Sequence, residues 1–139
     1  MTKQTKLENP RKLFPMFMTT KLAETKAFYV DKLGWKVTYD LPSYLQVRIA
    51  DADGPELCFM NTESGSAAGA PNFGGQGVVV SVPVEDADRH HAALRERGVQ
   101  AVSEPSLKPW GWHSFEVRDP NGVILDFFHV AAPPMSGQG

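Results

Sequence analysis

One turn occurs twice in this chain, and its recurrence constrains the fold more than any other feature. The stretch from Trp110 to Val130 (WGWHSFEVRDPNGVILDFFHV) reads as two strands joined by Asp119-Pro120-Asn121-Gly122. Proline fixes φ at the second turn position, and glycine takes positive φ without steric cost. Trp112 to Val117 and Val123 to Val130 are rich in aromatic and β-branched residues, which suit a half-buried pleated surface. Residues 51–61 (DADGPELCFMN) align without a gap on residues 119–129 (DPNGVILDFFH). Leu33-Gly34-Trp35-Lys36-Val37 and Arg97-Gly98-Val99-Gln100-Ala101 align at nearly the same offset, each closing a helical stretch. Two similar halves follow.

Taken in order, the chain predicts the same series of elements in each half. Lys12 to Thr19 is a first strand, with Pro15 marking an edge or a bulge. Thr20 is placed to cap a helix over Leu22 to Leu33, whose apolar residues fall mostly on one face before Gly34. Trp35 to Leu41, Ser43 to Ala50 and Glu56 to Asn61 are strands, with a turn at Asp51–Gly54. The second half has a strand at Gln76 to Val82, a helix at Val84 to Arg97, a strand at Val99 to Ser103, a loop at Glu104 to Pro109 and the final hairpin. The fold class is therefore α+β, βαβββ twice, with residues 12–61 and 76–130 as modules. Residues 62–75, small and glycine-rich, form the linker, and residues 131–139 a disordered tail. Each module alone exposes one sheet face, so the two must pair, within one chain or in a homodimer. A curved, concave surface results, with the helices outside.

The ordered set Leu22-Ala23-Glu24-Thr25-Lys26-Ala27-Phe28-Tyr29, Leu33-Gly34-Trp35, Glu85-Asp86-Ala87-Asp88, Trp110-Gly111 and Arg118-Asp119-Pro120-Asn121-Gly122 resembles the glyoxalase/bleomycin-resistance/extradiol-dioxygenase (vicinal oxygen chelate) superfamily over residues 12–130. That fold hosts isomerases, dioxygenases, lyases and metal-free binding proteins. The resemblance implies metal ligands, where present, on the first and last strands of each module. Here the first-strand positions fall at Phe14 or Met16 and at Val78 or Val79, and the last-strand positions at Cys58 and Asp126, with Glu56 on the face of Cys58. Catalytic divalent metals usually need about three protein ligands, so no metal and no other cofactor is expected.

Composition removes other classes. A net charge of −2 with both signs dispersed leaves no basic footprint for nucleic acid. No apolar run approaches a membrane span, residues 1–12 hold no signal peptide, and the single cysteine fits a reducing compartment, so a cytoplasmic location is expected. Cys58, between Leu57 and Phe59, reads as an inert core residue, and Gly74-Gly75-Gln76-Gly77 precedes a strand rather than opening a phosphate-binding helix.

What remains is aromatic and apolar. Phe14, Met16 and Met18 share one face of the first strand, and Tyr44, Gln46 and Arg48 one face of the third. Trp110 and Trp112 flank Gly111, and His113, Asp126 and Phe128 complete the candidate ligand-binding set. Asp126 is either a ligand handle or general base, or a structural group paired with Arg48 or solvent. His113 is placed near the mouth, unless a glycine bulge at Gly122 moves it to the opposite face. His129 should face away from Asp126, and His90 and His91 cannot both face inward. No residue is assigned as catalytic. The function expected is metal-independent sequestration of a bulky aromatic small molecule, as in the antibiotic-binding branch. The alternative is an enzyme of this fold, either a metal-dependent glyoxalase-like lyase or isomerase recruiting Glu56, Asp126 and His113, or a metal-free acid/base catalyst centred on Asp126. A structural partner protein is the third class, for which the sequence offers nothing.

Overall fold

The computed structural model describes residues 4–49, 54–61 and 71–133. The elements run β1 (Met16–Thr19), α1 (Leu22–Lys26, widening into a π-helix over Ala27–Lys32), β2 (Lys36–Leu41), β3 (Tyr44–Arg48), β4 (Glu56–Asn61), β5 (Val79–Pro83), α2 (Ala87–Glu96), β6 (Ser106–Leu107), β7 (Trp112–Arg118) and β8 (Ile124–Val130). They build two four-stranded sheets with strand orders β1-β4-β3-β2 and β5-β8-β7-β6. In each, the first strand pairs parallel with the last and the other pairings are antiparallel. The architecture is α+β, with two βαβββ modules as the repeat implies.

Alternation divides each sheet into a core face and an opposite, more open face, on which Met18, Gln46, Glu56, Cys58 and Ser114 are nonetheless buried. Phe17, Leu45, Val47, Leu57 and Phe59 of the first sheet and Val82, Phe115, Val117, Leu125 and Phe127 of the second join one buried cluster with Tyr29, Ala87 and Leu94 of the helices. Full burial of such side chains contributes roughly 1.5–3 kcal/mol each, so this cluster is the main source of stability.

The repeated turn does more than reverse the chain. Asp119 is buried, and its Oδ1 accepts from the backbone N–H of Asn121 and Val123, both at 2.8 Å. Its Oδ2 accepts the hydroxyl of Tyr29, fully buried in the other module, at 2.7 Å. Asn121 accepts from Thr19 at 2.6 Å and donates to Thr25 at 2.9 Å. Gly122 has φ +96, and a Cβ there would lie 2.6 Å from the Gly75 Cα, so the position requires glycine twice over. Arg97, following α2, donates to the carbonyls of Asp31 and Lys32 at the end of the first helix.

Several boundaries differ from expectation, each for a local reason. β1 begins at Met16 rather than Lys12: Pro15 has no N–H, and only its carbonyl joins the ladder, accepting from Cys58 at 3.0 Å. Thr19, not Thr20, serves the start of α1, its hydroxyl accepting the Lys21 N–H at 2.9 Å. The strand expected from Gln76 begins at Val79. The helix expected from Val84 begins at Ala87, because Asp86 caps it by accepting from Arg89 N–H at 3.1 Å. The strand expected at Val99–Ser103 is absent; Val102 makes one ladder-like bond to Glu116 O. Instead β6 forms inside the expected loop, confined between Pro105 and Pro109. Ala131 and Ala132, assigned to a disordered tail, both donate to Gly111 O. The turn at residues 51–53, most of the linker (62–70) and the tail from 134 lie outside the described residues.

Candidate functional site

The expected residues divide between the two open sheet faces. On the first, β1, β4 and β3 bring Met16, Cys58 and Gln46 into one row and Met18, Met60 and Tyr44 into the next. Arg48 pairs with Glu56 one step along. Phe14 and Met16 are exposed and Met18 is buried.

Glu56 organises this face. Its Oε1 accepts from Thr38 at 2.5 Å and Gln46 Nε2 at 2.9 Å, and Lys12 pairs with Oε2. A bulge between Val37 and Tyr39 brings Thr38 into reach. Burial alone would push the Glu56 carboxyl up, but Lys12, Thr38 and Gln46 together hold it down at about 2. Tyr44 donates to Gln46 Oε1 at 2.6 Å, and burial, with Cys58 and Glu56 nearby, pushes its hydroxyl up. Burial likewise pushes the Cys58 thiol up, which leaves little thiolate for nucleophilic chemistry. This face is polar but satisfied.

The second open face is not. β5, β8 and β7 place Ser81, Asp126 and Glu116 in one row, and Pro83, Phe128 and Ser114 in the next. Trp112 stacks on Phe128, ring centroids 3.5 Å apart and 7° from parallel. Ser81 donates weakly to Asp126 Oδ2 at 3.4 Å. Asp126 Oδ1 and Ser114 Oγ are buried without a hydrogen-bond partner. Burial pushes the Asp126 carboxyl up and the charge of Glu116 adds to this, against weaker opposing effects of Ser114, Ser81 and Lys108. Ser114 is thus near enough to bias Asp126 while lying outside hydrogen-bond geometry.

His113 is separated from this group. It pairs with His129 across the ladder, on the helix-covered side, and its Nε2 lies 3.0 Å from Asp88 Oδ1 of α2. The reason is register: Arg118 opposes Ile124, which sets Phe115 and His113 on the face opposite Asp126. His129 also faces away from Asp126, and its Nδ1 accepts the Ala87 N–H at the start of α2. His91 is buried edge-on to Phe115 and His90 is half-buried against Phe127. Trp110 is exposed in the turn before β7.

Ser81, Ser114, Glu116 and Lys108 were missing from the expected set. The repeat held the signal for one of them, since Glu116 faces Asp126 as Gln46 faces Cys58. Residues 49–55 separate the strands of the first hairpin and only residues 119–123 those of the second, so an ungapped offset misses the match.

Of the two first-module candidates for a metal ligand, pairing sets Met16 beside Cys58; in the second module it sets Ser81, not Val78 or Val79, beside Asp126, because Val79 pairs with Ile124. A thioether, a buried protonated thiol, a hydroxyl and one carboxylate do not fit a catalytic divalent metal. Among the described residues no three His, Cys, Asp or Glu side chains gather into a metal-binding group.

The model of the Glyoxalase/Bleomycin resistance protein/Dioxygenase superfamily matches residues 14–127, nearly the full span of both sheets. The chain belongs to this superfamily. Its fold is similar to that of a glyoxalase/bleomycin resistance protein/dioxygenase from Nocardioides, with a TM-score of 0.75 and 22% identity over 96% of this chain and 92% of that one. It is also similar to TnmS3, an antibiotic binding protein from Streptomyces sp. CB03234 (TM-score 0.69, 21% identity, 91% of this chain and all of that one). TioX from Micromonospora sp. ML1 aligns at a TM-score of 0.67 and 21% identity over 87% of this chain and 99% of that one. At these identities the likeness is one of fold. No curated protein matches. Among the described residues no helix is long and apolar enough to cross a membrane.

Proposed function

We propose that this protein binds and holds a bulky aromatic small molecule without a metal, in the manner suggested by its likeness to the antibiotic binding protein TnmS3. The observation that carries this reading is the second open face, where the stacked pair Trp112 and Phe128 lies beside buried, unpartnered oxygens of Ser114 and Asp126. Aromatic walls supply contact area at low entropic cost, and a few polar groups fix orientation. Sequestration requires affinity and no reacting group.

Within this reading the working unit is a homodimer. Val79, Trp110 and Val130 near the second sheet and Met16, Tyr39 and Leu41 on the first are large apolar residues left exposed in the single chain. A second copy covering them would close the site.

The test is calorimetric titration with a panel of aromatic antibiotics, with and without chelator, followed by mass spectrometry of the recovered ligand. Expected is saturable binding of one molecule per chain, unaffected by chelator, with the ligand returned intact. Turnover, or binding that disappears on chelation and returns with Zn, Ni, Mn or Fe, overturns it. The raised Asp126 carboxyl favours one second reading, a metal-free acid/base catalyst centred on that residue. It requires turnover whose pH–rate profile disappears in Asp126→Asn.

A further inference from the structure

We propose that the ligand carries a protonated amine that seats between Asp126 and Glu116 while its ring system lies on Trp112 and Phe128. This rests on the reading that the second open face holds an aromatic molecule, and it specifies the chemistry of that molecule.

The argument begins with strand pairing. Glu116 and Asp126 stand directly opposite each other on β7 and β8. Like charges in that relation repel and destabilise a sheet unless something offsets them. Among the described residues the offsets are weak: Ser81 donates to Asp126 Oδ2 at 3.4 Å, and Ser114 and Lys108 only partly oppose the effect of burial and Glu116. Neither carboxylate belongs to an ion pair there. Glu116 Oε2 accepts the Ser103 hydroxyl at 2.7 Å. The cation in the neighbourhood, Lys108, directs its Nζ to Ser106 Oγ at 2.6 Å and Ser114 O at 3.3 Å.

A second observation points to a bound group. Ser114, 1% exposed, has no partner for Oγ, and Asp126 Oδ1 is buried and equally bare. Both groups belong to the open face beside Glu116. Leaving such groups unpaired costs about 1–3 kcal/mol each, so an occupant that hydrogen-bonds them is favoured. A neutral hydroxyl would satisfy one oxygen and leave the charge repulsion in place. A metal ion would need further donors that the face lacks. An ammonium group supplies the missing charge and three N–H donors together. Spacing sets its size: Phe128 is two residues from Asp126 on β8, so the nitrogen lies roughly 6–7 Å from the ring stack.

The test is a matched pair, 10-(2-aminoethyl)acridone and 10-(2-hydroxyethyl)acridone, which share a tricyclic ring and differ in charge at the tail. Both are titrated calorimetrically into the wild-type chain at about pH 7, with the aromatic antibiotic panel alongside. Expected is at least tenfold tighter binding of the amine, a ratio that falls towards one in Asp126→Asn/Glu116→Gln. Because the ratio is first read in the wild-type chain, a misfolded variant cannot decide the outcome. Equal or weaker binding of the amine overturns the cation proposal while leaving aromatic binding intact, and means that the carboxyls share a proton or hold water. Binding of neither probe also overturns it, and the antibiotic panel then decides whether the aromatic reading falls as well.

Discussion

Tyr29→Phe isolates the tie between the two modules. The Tyr29 ring is fully buried, with centroids 5.0 Å from Trp35 and 5.3 Å from Phe59, and phenylalanine keeps those contacts. What is lost is one hydroxyl donating at 2.7 Å to a carboxylate that is itself only 4% exposed. Hydrogen bonds to charged groups contribute about 1.5–3 kcal/mol, more than neutral ones. Asp119 keeps its bonds from Asn121 and Val123, so the turn survives and the loss should stay near the middle of that range, about 2 kcal/mol. At roughly 3 °C per kcal/mol for a domain of this size, the melting temperature falls by about 6 °C. Urea unfolding at neutral pH measures the free energy, and a double-mutant cycle with Asp119→Asn shows whether the loss belongs to this pair. A change below about 0.5 kcal/mol, the range of ordinary surface substitutions, would refute the tie.

Three further predictions follow from the same geometry. Burial and Glu116 raise the Asp126 carboxyl, so the folded state holds that proton to higher pH than the unfolded state, and stability is lost as pH rises through the raised value. Asp126→Asn therefore stabilises the protein at neutral pH, with a gain that vanishes below the ordinary carboxylate range in a series of urea unfolding curves. Glu56 shows the opposite sign: held at about 2, it stabilises the fold above its ordinary value of roughly 4.3 and loses that contribution as pH falls. Glu56→Gln should destabilise at neutral pH, by an amount that shrinks in thermal melts taken towards pH 2. Gly122→Ala meets a positive φ and the Gly75 backbone together, and should cost more than the roughly 1–2 kcal/mol of the left-handed conformation alone.

The fold was legible because its strongest signal is local chemistry used twice. Asp119-Pro120-Asn121-Gly122 fixes a turn by itself, and the gapless match to residues 51–61 extends the reading to both modules. The rows Met16–Met18 and Tyr44–Gln46–Arg48 were legible too, since alternation needs only a strand and its phase. The face of His113 was not, because it depends on how many residues the hairpin leaves unpaired, and the turn motif permits more than one pairing. Ser81 was hidden for a related reason. β5 has no turn motif to anchor its phase, and only its parallel pairing with β8 sets Ser81 beside Asp126. The two orphaned oxygens lie furthest from the sequence, since they are properties of what surrounds Ser114 and Asp126.

The most direct test of aromatic binding on the second open face is tryptophan fluorescence of chelated protein titrated with aromatic antibiotics, wild type beside Trp112→Ala. The chain has three tryptophans, Trp35, Trp110 and Trp112, so the variant retains a signal. Expected is saturable quenching with one molecule per chain in the wild type and at least a tenfold loss of affinity in Trp112→Ala, confirmed by calorimetry. Absence of saturable binding across the panel, or full affinity retained in a folded Trp112→Ala, would contradict it.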